Sequence, residues 1–373
     1  EPSPVATVRL DDSIIDTLAE LERLLPPTEF HASIMDGLRR AYTPGAGMAD
    51  AFGRWLEEVL GDRGLVVYDS SDLASKPLVS QVFARELSMP GQTVKLAALA
   101  GSDLTARGYH AQVHAQDDSL ALFHLDGGRR AIRQQDGRFV VGDQHFPAAT
   151  LLEQATARPA GFSPNVLLRP VVQDTIFPTI CYVAGPNELA YLGQLRGVYA
   201  HFAVPMPLFY PRASATLLDS AAVRFLTKYK LPLEALQAQD EAALNELLKT
   251  QIPQVVEDSF TAAEQAIEAQ MARLIQTIPT LDPTLEGAAR STLERMQRDL
   301  QTLHGKMIQS AKRRDETLRR QFMHARALAF PGGHAQERTI GFVSFLNQYG
   351  PALVDRLDEE LPLDLGHHWI VTI

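Results

Sequence analysis

An arginine and two side-chain amides, Asn165, Arg169 and Gln173, recur four residues apart in NVLLRPVVQDTIFP, with Asp174 beside the last of them. On a helix that spacing lines the three along one face. An arginine flanked by amides can hold a carboxylate or a phosphate, and it can equally pair with a neighbouring acid. A second group follows in ICYVAGPNELAYLGQL, Ile180 to Leu195. Its apolar run reads as a buried strand that stops at Gly185-Pro186, after which Leu189, Leu192 and Leu195 return at helical intervals. In open parallel sheets ligands dock at such a junction, because the first amides of the helix are free to receive an anion; an ordinary βα turn reads the same way. Gly185, Asn187, Glu188, Tyr191 and Gln194 line this junction. Arg212 ends the next apolar run, VPMPLFYPRAS, and points to the same crevice.

Other familiar chemistry is missing from the pattern. There is no Walker loop, no G-x-G-x-x-G and no H-E-x-x-H. His110 and His114 would suit a metal only on a helix; their alternating surroundings read as a strand, where they stand about 13 Å apart. His367 and His368 read as surface residues, and no metal site is expected. The single cysteine, Cys181, excludes a disulfide framework and a cysteine zinc site and reads as a small buried hydrophobe.

The elements that must hold these groups are those of an α/β protein of 373 residues, long enough for two or three domains. Hydrophobic residues at 45% and charged residues at 21% place it among soluble globular chains, and no apolar run is long enough to span a membrane. Thirty-five basic against 45 acidic residues, a net charge of −10, disfavour nucleic acid as a partner. With one thiol and no visible targeting segment, the cytoplasm is the expected location.

Along the chain, Ser13 to Leu60 predicts two or three helices. GLVVYDSSD, Gly64 to Asp72, predicts a buried strand, and a helix follows around Pro77 to Leu87. From Gly108 to Gln144 the period changes to two in YHAQVHAQ, SLALFHL, RRAIRQQ and RFVVGDQHF, with turns at Asp126-Gly127-Gly128 and Asp136-Gly137. A small antiparallel meander is expected there, inserted into the α/β pattern. From about Leu233 to Leu328 two long helices are expected. Phe260, Ala263, Ile267, Met271, Leu274 and Ile278 follow near-heptad spacing before the break IPTLDPTLEG, and Leu293, Met296, Leu300, Leu303 and Met307 follow it afterwards. Asp282 and Pro283 supply the restart. The pair makes an antiparallel hairpin whose spare apolar area predicts a homodimer. HWIVTI predicts a short closing strand.

The segments SPNVLLRPVVQDTIFPTICYVAGPNELAYLGQL, VPMPLFYPRASATLLD and PGGHAQERTIGFVSFLNQYGPALVDRL closely resemble the bacillithiol synthase family, the cysteine ligases of bacillithiol biosynthesis. GYHAQVHAQ and AYTPGAGMADAFGRWLEEVLGDRGLVVYDSSD match it in the same order. The resemblance implies a Rossmann-like core similar to class I aminoacyl-tRNA synthetases, a connecting β insertion and a dimerising coiled-coil hairpin. The implied division is helices and part of the core over 1–104, insertion over 105–160, remaining core over 161–232, hairpin over 233–328 and a segment packing back on the core over 329–373. It implies a ligase joining L-cysteine to the amine of glucosaminyl malate, with ATP or another adenine nucleotide as activator by analogy. Alternatives are another nucleotide-dependent amide ligase or nucleotidyltransferase of the same fold, or a non-catalytic dimeric scaffold. Under the ligase reading Arg169 and Arg212 hold the malate carboxylates or a phosphate. Asn165, Gln173, Tyr191 and Gln194 orient sugar or cysteine, Gly185 allows close approach, and Asp174, Asn187 and Glu188 complete the lining. Gly332, Gly333, Gln336 and Arg338 are the implied nucleotide contacts. The family's upstream Thr-Gly-Gln-Gln and Asp-His stretches do not occur here, and the first residues are Glu-Pro-Ser-Pro, so the chain is expected to lack the family's N-terminal part and, with it, identifiable catalytic residues.

Overall fold

The computed structural model describes residues 5–114, 118–126, 128–250, 254–314, 316–362 and 366–373. They form two compact units, one built from Glu1–Ala213 with Phe345–Asp358 and Pro362–His367, the other from Ser214–Ser344 with Glu359–Leu361 and His368–Ile373.

The first unit opens with three helices, α1 (Ser13–Leu24), α2 (His31–Ala41) and α3 (Met48–Leu60), then α4 (Ser80–Ser88) and α5 (Gln92–Ala106). The meander follows as β1 (Ser119–His124), β2 (Arg130–Gln135), β3 (Arg138–Val141) and β4 (Gln144–Phe146). After α6 (Ala148–Ala157) a fifth strand, β5 (Phe162–Pro164), returns antiparallel to β1, giving the order β4-β3-β2-β1-β5. The expected meander is therefore present and gains a strand. The turn residue Gly127 lies outside the described residues. One face of this sheet packs on α4 and α6 through Phe83, Leu122, Ile132, Phe139, Leu151 and Phe162, all buried. Each such side chain contributes about 1.5–3 kcal/mol of transfer free energy. Inside that core the Glu86 carboxylate, 0% exposed, receives the Thr93 hydroxyl at 2.5 Å and the Ala121 amide at 2.7 Å.

Next come α7 (Arg169–Ile176), β6 (Cys181–Ala184), α8 (Pro186–Leu192), α9 (Arg196–Phe202) and β7 (Leu208–Pro211). β6 and β7 are parallel, with Cys181 opposite Leu208 and Ala184 opposite Pro211, and α8 and α9 form the crossover that parallel pairing requires. This is a single βαβ step.

Three expectations fail here for one reason. Gly64 to Asp72 contains no strand, with Val66 81% exposed; residues 109–114 are likewise irregular, which leaves His110 and His114 exposed off any strand; and Cys181 is exposed rather than buried. An apolar run becomes a buried strand only when a neighbour supplies its hydrogen bonds and layers cover both faces. Among the described residues no strand pairs with 64–72 or 109–114, and β6 pairs with β7 alone.

In the second unit, β8 (Ser214–Leu218) pairs in parallel with β9 (His368–Thr372). The closing strand is thus real, and the His368 ring sits 2.8 Å from both the Ser214 and Thr216 hydroxyls. Helices α10 (Ser220–Tyr229), α11 (Ala242–Thr250), α12 (Gln254–Thr277), α13 (Glu286–Arg314), α14 (Glu316–Ala329) and α15 (Gln336–Thr339) complete it. The Asp219 side chain caps α10, accepting from Ala222 N at 2.7 Å. Leu218, Phe225, Leu236, Leu248, Phe322 and Ala325 form the core. The α12 and α13 helices are the expected hairpin, and Asp282 accepts from the Thr284 amide at 2.9 Å where the chain restarts. The seam differs from the expected one at three positions, of which Met296 is 37% exposed. Leu274 and Leu303 are half exposed, while Ile275 and His304 face inward. His304 stacks on Phe260 with centroids 4.5 Å apart and meets Glu257 at 3.1 Å. An α-helix drifts off a strict heptad by about 20° per repeat, enough to hand a seam position to the next residue.

Two last helices, α16 (Phe342–Tyr349) and α17 (Ala352–Glu360), follow. Residues of this segment belonging to the first unit fasten onto its opening helices: the Thr28 hydroxyl donates to Asn347 O at 2.5 Å and the Asn347 amide to Pro26 O at 3.0 Å.

Candidate functional site

The polar groups singled out between Asn165 and Gln194 collect around α7, β6 and α8. The segment before α7 turns on Asn165, whose side-chain oxygen accepts from Leu167 N at 2.9 Å and Leu168 N at 3.3 Å. A short amide captures nearby backbone donors in this way and delays the helix. Hence α7 starts at Arg169, with Pro170 in its first turn, and Asn165 does not share a helix face with Arg169 and Gln173. The Asn165 side-chain oxygen thus serves the turn that precedes α7.

Arg169 donates to the Tyr191 hydroxyl at 2.7 Å. Burial alone would lower its pKa, but the Tyr191, Tyr182 and Glu188 oxygens outweigh that effect and hold it above the usual value. Tyr191 responds in the opposite sense: burial pushes its phenol up to about 12 although Arg169 pulls it back. Tyr199 is buried and donates to Asp174 Oδ2 at 2.5 Å, so burial together with that carboxylate raises its pKa further still. The other Asp174 oxygen, Oδ1, is buried and has no hydrogen-bond partner among the described residues. Arg169, Asp174, Glu188 and Tyr191 therefore meet in one network, together with two tyrosines that the sequence spacing does not single out. Tyr182 lies on β6, and Tyr199 lies on α9, a helix separate from the one that carries Tyr191.

The junction at Gly185 is formed as expected, with Gly185 at the N-cap of α8 and Pro186 next to it. Its amide is not free, however, because Glu188 folds back and accepts from Gly185 N at 3.0 Å. A carboxylate of the first turn has taken the place proposed for an anion. Asn187 is exposed and Gln173 half-buried. The Arg212 amide continues the β6–β7 pairing by donating to Ala184 O at 2.8 Å.

Two glutamines expected at ligands are backbone clamps. Gln194, 0% exposed, accepts from Val113 N at 2.9 Å and donates to Val113 O at 3.2 Å and Ala97 O at 3.3 Å. Gln336, 3% exposed, repeats the arrangement on the edge strand of the second unit: it accepts from Leu217 N at 2.8 Å and donates to Leu217 O at 2.8 Å and Leu328 O at 2.9 Å. A primary amide has the donor and acceptor geometry of a peptide group, so each side chain pairs with a backbone N–H and C=O as a neighbouring peptide would. Both amide hydrogens of Gln336 are spent. Of its expected companions, Gly332 and Gly333 take left-handed backbone angles, φ 61° and 83°, and a Cβ on Gly333 would stand 3.0 Å from Gln239. Arg338 is exposed and faces Glu337 at 3.9 Å. This set does not fit a nucleotide: its one buried polar side chain has no hydrogen left to give. No group of three or more His, Cys, Asp or Glu converges as a metal site among the described residues.

Sequence comparison covers nearly the entire chain. The model of the bacillithiol biosynthesis BshC N-terminal Rossmann-like domain matches residues 1–213, and that of the BshC C-terminal coiled-coil domain matches residues 215–373. The chain belongs to the BshC family. A relative from Salinibacter ruber, carrying the provisional name cysteine ligase BshC, is 34% identical over 376 residues, covering 100% of this chain and 68% of its own length. Relatives of the same name from Koribacter versatilis and Chlorobaculum tepidum are each 32% identical, covering 95% of this chain and 66% and 65% of their own lengths. The chain thus spans about two thirds of the BshC relatives it matches. The BshC boundary between residues 213 and 215 coincides with the division of the structure at Ala213 and Ser214. An α/β, Rossmann-like first part and a coiled-coil second part are family properties.

Proposed function

We propose that this chain serves a ligase that joins the carboxyl group of L-cysteine to the amine of glucosaminyl malate through an amide bond, giving bacillithiol. The observation that carries the reading is the match of both BshC domain models, which together account for nearly every residue. The network on α7 supports it chemically. Arg169 is a partly buried guanidinium with five N–H groups, on which Tyr191 and Tyr182 both draw, and a guanidinium held in this way is suited to a carboxylate of either substrate. Asp174 Oδ1 offers an unused acceptor on the same helix, suited to an amine or hydroxyl.

Amide formation in water requires an activated carboxyl. We assign that activation to ATP by analogy with the fold, and derive no step through it because the Gly332 to Arg338 segment does not fit a nucleotide. The chain's own residues bind and orient: Arg169 is fixed by Tyr191, Tyr191 is kept neutral by burial, and Glu188 sets the start of α8. The test is a turnover assay with glucosaminyl malate, L-cysteine and ATP, following the thiol product by derivatisation and mass spectrometry. Arg169→Lys keeps the charge but loses the planar fork, and is expected to raise KM for glucosaminyl malate about tenfold or more. Unchanged kinetics would remove Arg169 from the site, and absence of product with every acceptor amine would remove the ligase reading.

A further inference from the structure

Away from the Arg169 network, the first unit contains a cavity of about 640 Å³ that the proposed reaction does not use. Its walls come from the turn Leu73–Val79, from β1 and β4, from the end of α6 and from the loop leading into β5. The apolar part is Leu73, Pro77, Phe146, Pro159 and Phe162. The volume falls within the 300–1,000 Å³ range typical of small-molecule sites.

The polar lining carries donor hydrogens in excess of the acceptors that face them among the described residues. Lys76, only 7% exposed, gives one hydrogen bond, to Ser70 O at 2.9 Å, and no carboxylate of the described residues lies within ion-pairing distance of its ammonium. Lysine is seldom buried without a counter-charge. Burial lowers its pKa, while Asp69 and Asp72 at longer range act to restore it. Those two carboxylates are committed elsewhere: Asp69 accepts from Ser71 N at 2.8 Å and Asp72 from Ala74 N at 2.9 Å. Across the cavity His124, 6% exposed, is held with Nε2 3.3 Å from Gln154 Oε1 and Nδ1 3.4 Å from Asp126 N. The backbone N–H can only donate, so Nδ1 accepts and Nε2 carries the hydrogen to Gln154. The amide nitrogen of Gln154 is left without a partner among the described residues. Arg158, which ends the α6 wall, likewise has no side-chain partner among them. Asp126, exposed at the edge, is the one carboxylate in the lining, so the charged side chains leave one net positive charge.

The geometry points to this cavity as a second small-molecule site, which takes a carboxylic acid with an apolar body. The carboxylate accepts from Lys76, Arg158 and Gln154, and the body lies against Phe146, Phe162, Leu73 and the prolines. A carboxylate is acceptor-only and matches a donor-rich lining, whereas a neutral amide would present two hydrogens to donors and a cation. No residue of the Arg169 network lines this cavity, so the two sites can be tested apart.

The probe is 4-fluorobenzoate, with 4-fluorobenzamide as its neutral isostere, followed by 19F line broadening on the whole chain. A ten-atom acid of ordinary ligand efficiency should bind with a dissociation constant of order millimolar. Benzoate should bind about tenfold or more tightly than benzamide, and both Lys76→Met and Arg158→Gln should weaken it about tenfold, the loss expected of one charge-assisted hydrogen bond. Arg158 is exposed, so its variant carries the test if Lys76→Met unfolds. Arg169→Lys should leave benzoate binding unchanged. Equal binding of acid and amide, no detectable binding of the acid at about 10 mM, or full retention in Arg158→Gln would overturn the assignment.

Discussion

Replacing Gln336 by methionine keeps the volume of a buried side chain and deletes all three of its hydrogen bonds. The N–H and C=O of a strand residue point to the same edge. Leu217 therefore loses both partners at once on the side opposite β9, and Leu328 O loses a donor. A buried polar group left unmade costs about 1–3 kcal/mol, and the carbonyls, with two lone pairs, lie toward the low end. A total of about 3–5 kcal/mol follows for the second unit. With a urea m-value of about 1–3 kcal/mol/M, the midpoint for that unit should fall by about 2 M. Gln336→Glu supplies a sharper version, because a carboxylate cannot donate to Leu217 O or Leu328 O. That variant should be the weaker of the two near neutral pH. Its buried acid would have a raised folded pKa, so it should regain stability as pH falls toward the ordinary carboxylate range and lose it again as pH rises. Urea titrations at two pH values, read by far-ultraviolet circular dichroism, decide the matter. A midpoint shift under about 0.3 M for Gln336→Met, or a glutamate variant as stable as the parent at neutral pH, would refute the backbone-clamp argument and return Gln336 to the pool of ligand contacts.

Further outcomes follow from other parts of the structure. Gln194→Met should destabilise the first unit by a similar margin, and hydrogen exchange should accelerate at the Val113 amide; unchanged protection there would contradict the clamp. Glu86→Gln keeps an acceptor for Ala121 N and should cost about 1 kcal/mol, whereas Glu86→Leu strands that amide and should cost about 2–3 kcal/mol. Burial, acting against the Thr93 and Ala121 hydrogen bonds, raises the Glu86 pKa. Its contribution is therefore fullest below the ordinary carboxylate range and declines as pH rises through the folded value, a slope that Glu86→Gln should abolish in denaturation curves. Tyr191 and Tyr199 should remain un-ionised in an absorbance titration at pH 10–11, when exposed phenols have begun to titrate. The stability tied to them is intact below pH 10; the part due to Tyr191 is lost as pH climbs to about 12, while that of Tyr199 is lost only at higher pH. Cys181 should react stoichiometrically with a small alkylating reagent in the native state, and protection comparable to a core thiol would contradict its exposure.

Much of the helical architecture could be read from the sequence because a helix satisfies its backbone locally. The hairpin break at Leu281-Asp282-Pro283 and the run of apolar residues on either side required no knowledge of distant partners, and the error at Leu274 and Leu303 amounts to one residue of helical drift. Strands are different. The alternation through β1 to β4 was legible because hairpin neighbours lie close in sequence, but whether Leu65 to Tyr68 becomes a strand depends on a partner elsewhere, and the run itself does not reveal that none pairs with it here. At the candidate site the types were informative and the roles were not. Arg169, Asp174, Glu188 and Tyr191 do come together, yet Gln194 and Gln336 have the same composition signal as a ligand-binding amide while serving the backbone. Asn165 was placed on the helix by its spacing and kept off it by its own side-chain hydrogen bonds. Tyr199 is not legible in the sequence because nothing in its neighbourhood announces the carboxylate it meets 25 residues back in the chain.

The hydrogen bond from Gly185 to Glu188 changes what arrival at that turn would mean. A helix start with an empty amide simply adds an anion; this one already carries a tethered rival whose effective concentration is fixed by three residues of chain. Any incoming carboxylate or phosphate has to exchange with it, as a mobile ion exchanges with the fixed counter-ion of a resin. Weak, singly charged anions common in solution would be turned away, and only a ligand with further contacts of its own would win the position. Removing the rival by Glu188→Gln would make the turn more receptive and less discriminating.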